Sequence, residues 1–128
     1  TLLSQRELYS ALYPNWDDGK YKELREYFDI DEKQKINSMS KGMQRQAALI
    51  LAMSTKPKYL LLDEAFDGLD VVMRRVLANI ILDGVEKDGL TVIIASHNLR
   101  ELEDVDRESE FEAIISPNKP FAVNLRLL

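Results

Sequence analysis

Tyr59-Leu60-Leu61-Leu62-Asp63-Glu64 decides the fold class of this chain. Four apolar residues in a row, without polar alternation, read as a strand buried on both faces, as in parallel sheets. The run then meets two adjacent carboxylates. Open α/β sheets bind ligands at the carboxyl ends of their strands. A carboxylate is costly to desolvate without a partner, so the pair points to a cation at that edge. Magnesium on a nucleotide fits best, with one acid for the metal and its neighbour for a water.

After that strand Gly68 breaks the chain, and Asp70 is placed to N-cap a helix over residues 71–86. Asp88-Gly89 is a turn. Residues 90–95 form a second apolar, β-branched run that ends at Ser96-His97. Strand, helix and strand with a crossover of this length predict parallel pairing. Residues 99–105 suit a short helix, 111–115 a strand and 117–120 a turn. Residues 121–127 alternate apolar and polar, as an edge strand does.

Upstream, the first forty or so residues read as helical and amphipathic. Ser4 with Glu7 has the capping-box pattern, and Leu8 and Leu12 continue one face until Pro14. A second helix begins near Asp17 or Asp18, with Tyr21, Leu24 and Phe28 on one face. Residues 29–35 are a charged connector. Residues 38–42 are small and polar, a turn that leads into a helix over 43–53, which Lys56-Pro57-Lys58 stops.

The 128 residues suffice for one modest core. Apolar residues at 45% and charged residues at 30% make a globular composition. The net charge of −5 argues against a dedicated nucleic-acid binder, which shows a basic excess. With no cysteine, disulfides, thiolate metal sites and cysteine nucleophiles are excluded, and a reducing compartment fits. The longest apolar run, residues 47–53, is far short of the roughly 20 residues that cross a bilayer. There is no signal-peptide pattern. A start at Thr1 rather than methionine reads as a fragment, or as a processed or cloned segment.

The motifs in order carry a family resemblance. Met39-Ser40-Lys41-Gly42-Met43 is similar to the LSGGQ signature with substitutions, residues 60–64 to a Walker B strand, Asp67-Gly68-Leu69-Asp70 to a D-loop, and His97 to the switch histidine. Over roughly residues 1–115 the chain resembles the C-terminal part of an ATP-binding-cassette (ABC) ATPase, and its wording around Tyr13-Pro14-Asn15-Trp16 resembles bacterial exporter subunits. The fold this implies is α/β: a P-loop-NTPase-type core with a mainly parallel sheet, here partial, beside an α-helical subdomain. Residues 1–55 would be the helical subdomain with the signature. Residues 56–128 would be the C-terminal part of the ATPase core.

The resemblance also implies roles. Asp63 holds Mg2+, in keeping with that ion's retained water shell. Glu64 polarises the water that attacks the γ-phosphate of ATP, and His97 orients it. Ser40, Lys41 and Gly42 bind the γ-phosphate of the ATP held by the other subunit, where a helix N-terminus suits an anion. Asp67 and Asp70 bridge two subunits of a head-to-tail dimer, homo- or heteromeric; Asp70 can be a helix cap at the same time. The implied partners are that second ATPase subunit and a separate membrane-spanning permease, with no nucleic acid. The implied location is cytoplasmic, peripheral to the membrane through the permease. Tyr9, Tyr13 and Trp16 are candidate permease contacts, set against ordinary packing.

Departures are visible too. Ala65 and Phe66 stand where the family has proline and a small hydroxyl residue, and Lys41 and Met43 where it has glycine and glutamine. Gln44-Arg45-Gln46 and Arg74-Arg75 read as solvated helix faces, and Met39, Met43 and Met53 as packing residues. No G-x-x-x-x-G-K-[ST] loop occurs in the sequence, so Asp63-Glu64 reads as half of a composite site. The expectation is therefore an ABC transporter ATPase whose isolated 128 residues are inactive. A soluble ABC-type ATPase of DNA repair or chromosome organisation is the second reading, disfavoured because residues 1–36 lack sustained heptads. A non-catalytic interaction fragment is the third.

Overall fold

The computed structural model describes residues 1–96 and 121–125. By its internal contacts the chain divides into two units, Thr1–Pro57 and Lys58–Leu128.

The first unit is helical. Helix α1 (Leu2–Leu12) is capped by Thr1, whose Oγ1 accepts the Ser4 N–H at 3.2 Å while its own amino group donates to Ser4 Oγ at 3.1 Å. The capping box therefore lies three residues earlier than Ser4 with Glu7, because Ser4 is already inside the helix as the responding residue. The amphipathic expectation for α1 is also corrected. Leu8 and Leu12 share a face, but they are 49% and 65% exposed, and Leu2 is the buried residue of the helix. Tyr13 follows in an extended conformation, as a residue before proline is steered to do.

Helix α2 (Asp18–Tyr27) is capped by Asp17 and buries Tyr21 and Leu24. Ile30 is buried beyond its end. A 3-10 turn (Ile36–Ser38) precedes helix α3 (Lys41–Ser54). Helix α3 starts two residues before the apolar pattern does, because the Ser40 hydroxyl accepts the Met43 N–H at 3.2 Å and caps it. Helix α3 is the centre of the unit, with Ala47, Leu49, Ile50, Leu51 and Met53 buried and both α1 and α2 packed on it. Its last polar residue, Ser54, is fully buried and satisfied: Oγ donates to the Ile50 carbonyl at 2.6 Å. The Ser54 carbonyl in turn accepts the Asp17 N–H at 2.8 Å, tying the start of α2 to the end of α3.

The second unit is α/β. Strands β1 (Tyr59–Asp63), β2 (Thr91–Ser96) and β3 (Phe121–Leu125) form a sheet in the order β1-β2-β3, with helix α4 (Val71–Asp88) between β1 and β2 in sequence. Strands β1 and β2 are parallel, in register from Tyr59 opposite Thr91 to Asp63 opposite Ala95. Strand β3 lies antiparallel at the edge, with Ser96 opposite Phe121. Helix α4 is the crossover; it buries Leu77, Ala78, Ile81 and Val85 on one stripe and stops at Gly89 in the left-handed region.

One expectation for β1 fails. Leu60 is buried, but Leu61 is 73% exposed, so the strand is covered on one face only among the described residues. Helix α4 packs on the neighbouring strand β2, and the all-apolar sequence of β1 is suited to cover on both faces. The predicted helix at 99–105, strand at 111–115 and turn at 117–120 lie outside the described residues, as does His97. No described helix is long and apolar enough to cross a membrane.

Candidate functional site

The carboxyl end of β1 is where the chain turns its acids outward. Asp63 is the last residue of the strand, opposite Ala95, and is exposed. The Glu64 N–H donates to the Ala95 carbonyl at 2.9 Å, which carries the ladder with β2 one step past the strand. Glu64 itself has φ +50. A non-glycine residue there is strained by roughly 1–2 kcal/mol, and such strain gathers at functional sites. The departure at position 65 bears on this. Proline there would push Glu64 toward extended backbone, whereas Ala65 leaves the left-handed turn open.

Beyond Glu64 the loop alternates anchors and acids. Phe66 is 1% exposed and Leu69 is 7% exposed, while Asp67, Gly68 and Asp70 face outward. Phe66 thus packs, where the family pattern has a hydroxyl. The Asp67 N–H donates to the Glu64 carbonyl and the Leu69 N–H to the Phe66 carbonyl, both at 3.2 Å. Gly68, at φ +71, supplies the bend between them. Asp70 closes the loop as the cap of α4, its Oδ1 accepting the Met73 N–H at 2.8 Å. Asp63, Glu64, Asp67 and Asp70 are therefore gathered on one short loop at one sheet edge.

Among the described residues, no group of three or more His, Asp or Glu side chains could hold a metal by itself. Magnesium on a nucleotide does not need such a cage, since it takes one or two carboxylates and completes its shell with phosphate oxygens and water. An exposed carboxylate at a strand end, as Asp63 is, fits that donor role.

Ser40, Lys41 and Gly42 lie in the other unit. Ser40 is the N-cap of α3, Lys41 is exposed and Gly42 is half-buried in the first turn. The first-turn N–H groups of any helix lack intrahelical acceptors and present the positive end of the dipole. Two residues that read as solvated in the sequence do local work. Gln44 Nε2 donates to the Ile36 and Met39 carbonyls at 3.2 Å each, pinning the 3-10 turn to α3, and Gln46 is buried. Arg74 Nε donates to the Leu69 carbonyl at 3.0 Å. A signal for Arg74 existed: a base in the first turn opposes the helix dipole, so it asks for a local acceptor.

Comparison with known proteins is decisive at this point. A family model described as "ABC transporter" matches residues 2–67, half of the chain. The chain belongs to the ABC transporter family. Among the relatives of this ABC chain, the ABC transporter ATP-binding protein YtrB of Bacillus subtilis is 31% identical over 97 residues, 76% of this chain and 33% of that protein. The lipopolysaccharide export system ATP-binding protein LptB of Haemophilus influenzae is 34% identical over 106 residues, 81% of this chain and 44% of that protein. The phosphate import ATP-binding protein PstB 1 of a Nostoc species is 32% identical over 104 residues, covering 81% and 35%. The ABC chain thus spans from a third to under half of these relatives.

Proposed function

We propose that this chain is part of the ATP-binding and ATP-hydrolysing subunit of an ABC transporter, coupling hydrolysis at a head-to-tail dimer interface to transport by a separate membrane subunit. The observation that carries the reading is the loop after β1, where Asp63 ends a parallel strand and Glu64 follows it in the left-handed region, in a chain of this family. Residues 1–55 act as the helical subdomain and residues 56–128 as the C-terminal part of the ATPase core; the division of contacts at Pro57 supports this. The subunit works in the cytoplasm and meets the membrane through its permease.

Within that reading each residue has a task. Asp63 would hold Mg2+, which when bound would supply positive charge to the phosphates of ATP. Glu64 orients the attacking water and takes up its proton, and His97 donates to the γ-phosphate. Ser40, Lys41 and Gly42 receive the γ-phosphate of the ATP bound to the second subunit, where the α3 N-terminus and the lysine favour an anion. Asp67 and Asp70 reach across the dimer.

The test uses a protein that joins this segment to a phosphate-binding loop. Glu64→Gln there abolishes turnover and retains ATP binding, and near-normal hydrolysis by that variant removes Glu64 from the base role. The 128 residues alone, lacking that loop in sequence, bind Mg-ATP weakly and do not hydrolyse it. Tight Mg-ATP binding to them in calorimetry would contradict this division of the site.

A further inference from the structure

We propose that Arg74 is a positioning residue of the ATPase, setting the Asp67–Asp70 loop and with it the bearing of Glu64; the inference rests on reading that loop as part of the ATP site. A continuous set of hydrogen bonds runs from Glu64 to the first turn of α4. The Glu64 carbonyl accepts from Asp67 N–H and the Phe66 carbonyl from Leu69 N–H. The Leu69 carbonyl accepts from Arg74 Nε at 3.0 Å, the Asp70 carbonyl accepts the Arg74 N–H at 3.0 Å, and Asp70 Oδ1 accepts the Met73 N–H.

All these bonds but one involve groups that any sequence with an Asp cap would supply. The exception is the guanidinium. It is a side chain from the helix that reaches back over the cap and holds the carbonyl of Leu69, the residue just before the Asp70 cap. Its position in the first turn is unfavourable to the helix dipole, and a charged donor on a carbonyl is a strong hydrogen bond. The arrangement matters because the loop contains strain. Glu64 at φ +50 is stable only if its surroundings over-determine it. Phe66 and Leu69 anchor the loop by burial, but an apolar anchor sets depth and leaves rotation about the chain axis free. The Arg74 bond to Leu69 removes that freedom on the side of Asp70.

The test is steady-state ATPase kinetics on the protein that joins this segment to a phosphate-binding loop, comparing Arg74→Ala, Arg74→Lys and Glu64→Gln. Small misplacements of catalytic groups are expensive in rate, so Arg74→Ala is expected to lower kcat about tenfold with KM for Mg-ATP within about twofold of the parent. Arg74→Lys, which keeps a charged donor for the Leu69 carbonyl, recovers part of that kcat. An Arg74→Ala kcat within about twofold of the parent overturns the proposal. So does a loss confined to KM, or an equal loss in Arg74→Lys. If Arg74→Ala does not fold, Arg74→Met, which keeps the apolar stem without a donor, takes its place, with the same outcomes. The Glu64→Gln enzyme separates the two levels. Normal turnover there overturns the site reading itself, whereas a blocked Glu64→Gln beside a normal Arg74→Ala overturns only the role of Arg74.

Discussion

Replacing Asp17 dissects how the helical unit is held together. Its Oδ1 accepts the Lys20 N–H at 2.9 Å and caps α2, while Oδ2 lies 3.3 Å from Lys56 Nζ, just past the end of α3. Asp17→Ala removes both. The lost cap costs about 1 kcal/mol, and the ion pair, with both side chains about a third exposed, adds a few tenths to about 1 kcal/mol. The expected total is about 1.5 kcal/mol. Asp17→Asn keeps a good capping oxygen and loses only the charge, so it should cost about 0.5 kcal/mol. The assay is urea unfolding followed by tryptophan fluorescence. Trp16 is the sole tryptophan; its ring lies 5.7 Å from that of Tyr21 and its Nε1 donates to Asp18 at 2.9 Å. The signal therefore reports the unit in which the change is made. With a slope of about 1–3 kcal/mol per molar urea, Asp17→Ala should move the midpoint down by about 0.5–1.5 M.

Acid adds a second dimension to the same experiment. The Lys20 N–H first, and Lys56 second, hold the Asp17 carboxyl below its ordinary range. A carboxylate with a lowered folded pKa contributes stability that is complete above about pH 4 and fades as pH falls through the folded value. The gap between the parent and Asp17→Ala should therefore narrow in acid. If Asp17→Asn is as damaging as Asp17→Ala, the cap is not what matters. If neither variant shifts the midpoint, the joint between α2 and α3 lies elsewhere.

Two further outcomes are expected. Phe66→Ala should destabilise the second unit by about 3–5 kcal/mol, since the ring is 1% exposed; a thermal melt by circular dichroism changed by less than about 1 kcal/mol would show that the loop is not anchored there. Burial and the hydrogen bond from its hydroxyl to Glu32 raise Tyr21 from 10.0 to about 12, so its stabilising contribution is complete below pH 10 and lost as pH rises toward 12; Tyr21→Phe should flatten that alkaline slope in the fluorescence-detected unfolding, and an unchanged slope would contradict it.

Legibility tracked whether a residue's role was local and periodic. The apolar run at β1, the crossover helix and the parallel pairing to β2 could be read because they rest on period and crossover length. The Asp70 cap was readable from residue type alone. What escaped were side chains bonding to loop carbonyls. Gln44 and Arg74 look like solvent-facing polar residues by pattern, and only the path of the preceding turn reveals their acceptors. The misplaced capping box has a related cause. Both Thr1 and Ser4 can cap, and a one-turn choice between hydroxyls is made by where Leu2 finds a burial site. The open face of β1 failed for a third reason: continuous apolarity signals what a strand is suited to, while exposure depends on which layers are present.

The loop after β1 joins two demands that conflict elsewhere in proteins. Under the proposed function the loop meets a second subunit and must project charge, yet exposed loops are ordinarily the mobile parts of a fold. Here the conflict is resolved residue by residue. Phe66 and Leu69 point in, three apart, and Asp63, Asp67 and Asp70 face out around them. Each outward acid is thus within one or two residues of an element that cannot move cheaply: the end of β1 for Asp63, the Phe66 ring for Asp67, and the first turn of α4 for Asp70. Glu64 is the exception, with its N–H held by β2 and its φ in the left-handed region. It is the one acid of the four whose backbone carries strain, and it is the residue to which the proposed chemistry assigns the reacting water. A backbone held this way narrows the directions open to the Glu64 side chain, so under the proposed function less of the ordering cost would fall on the reaction step.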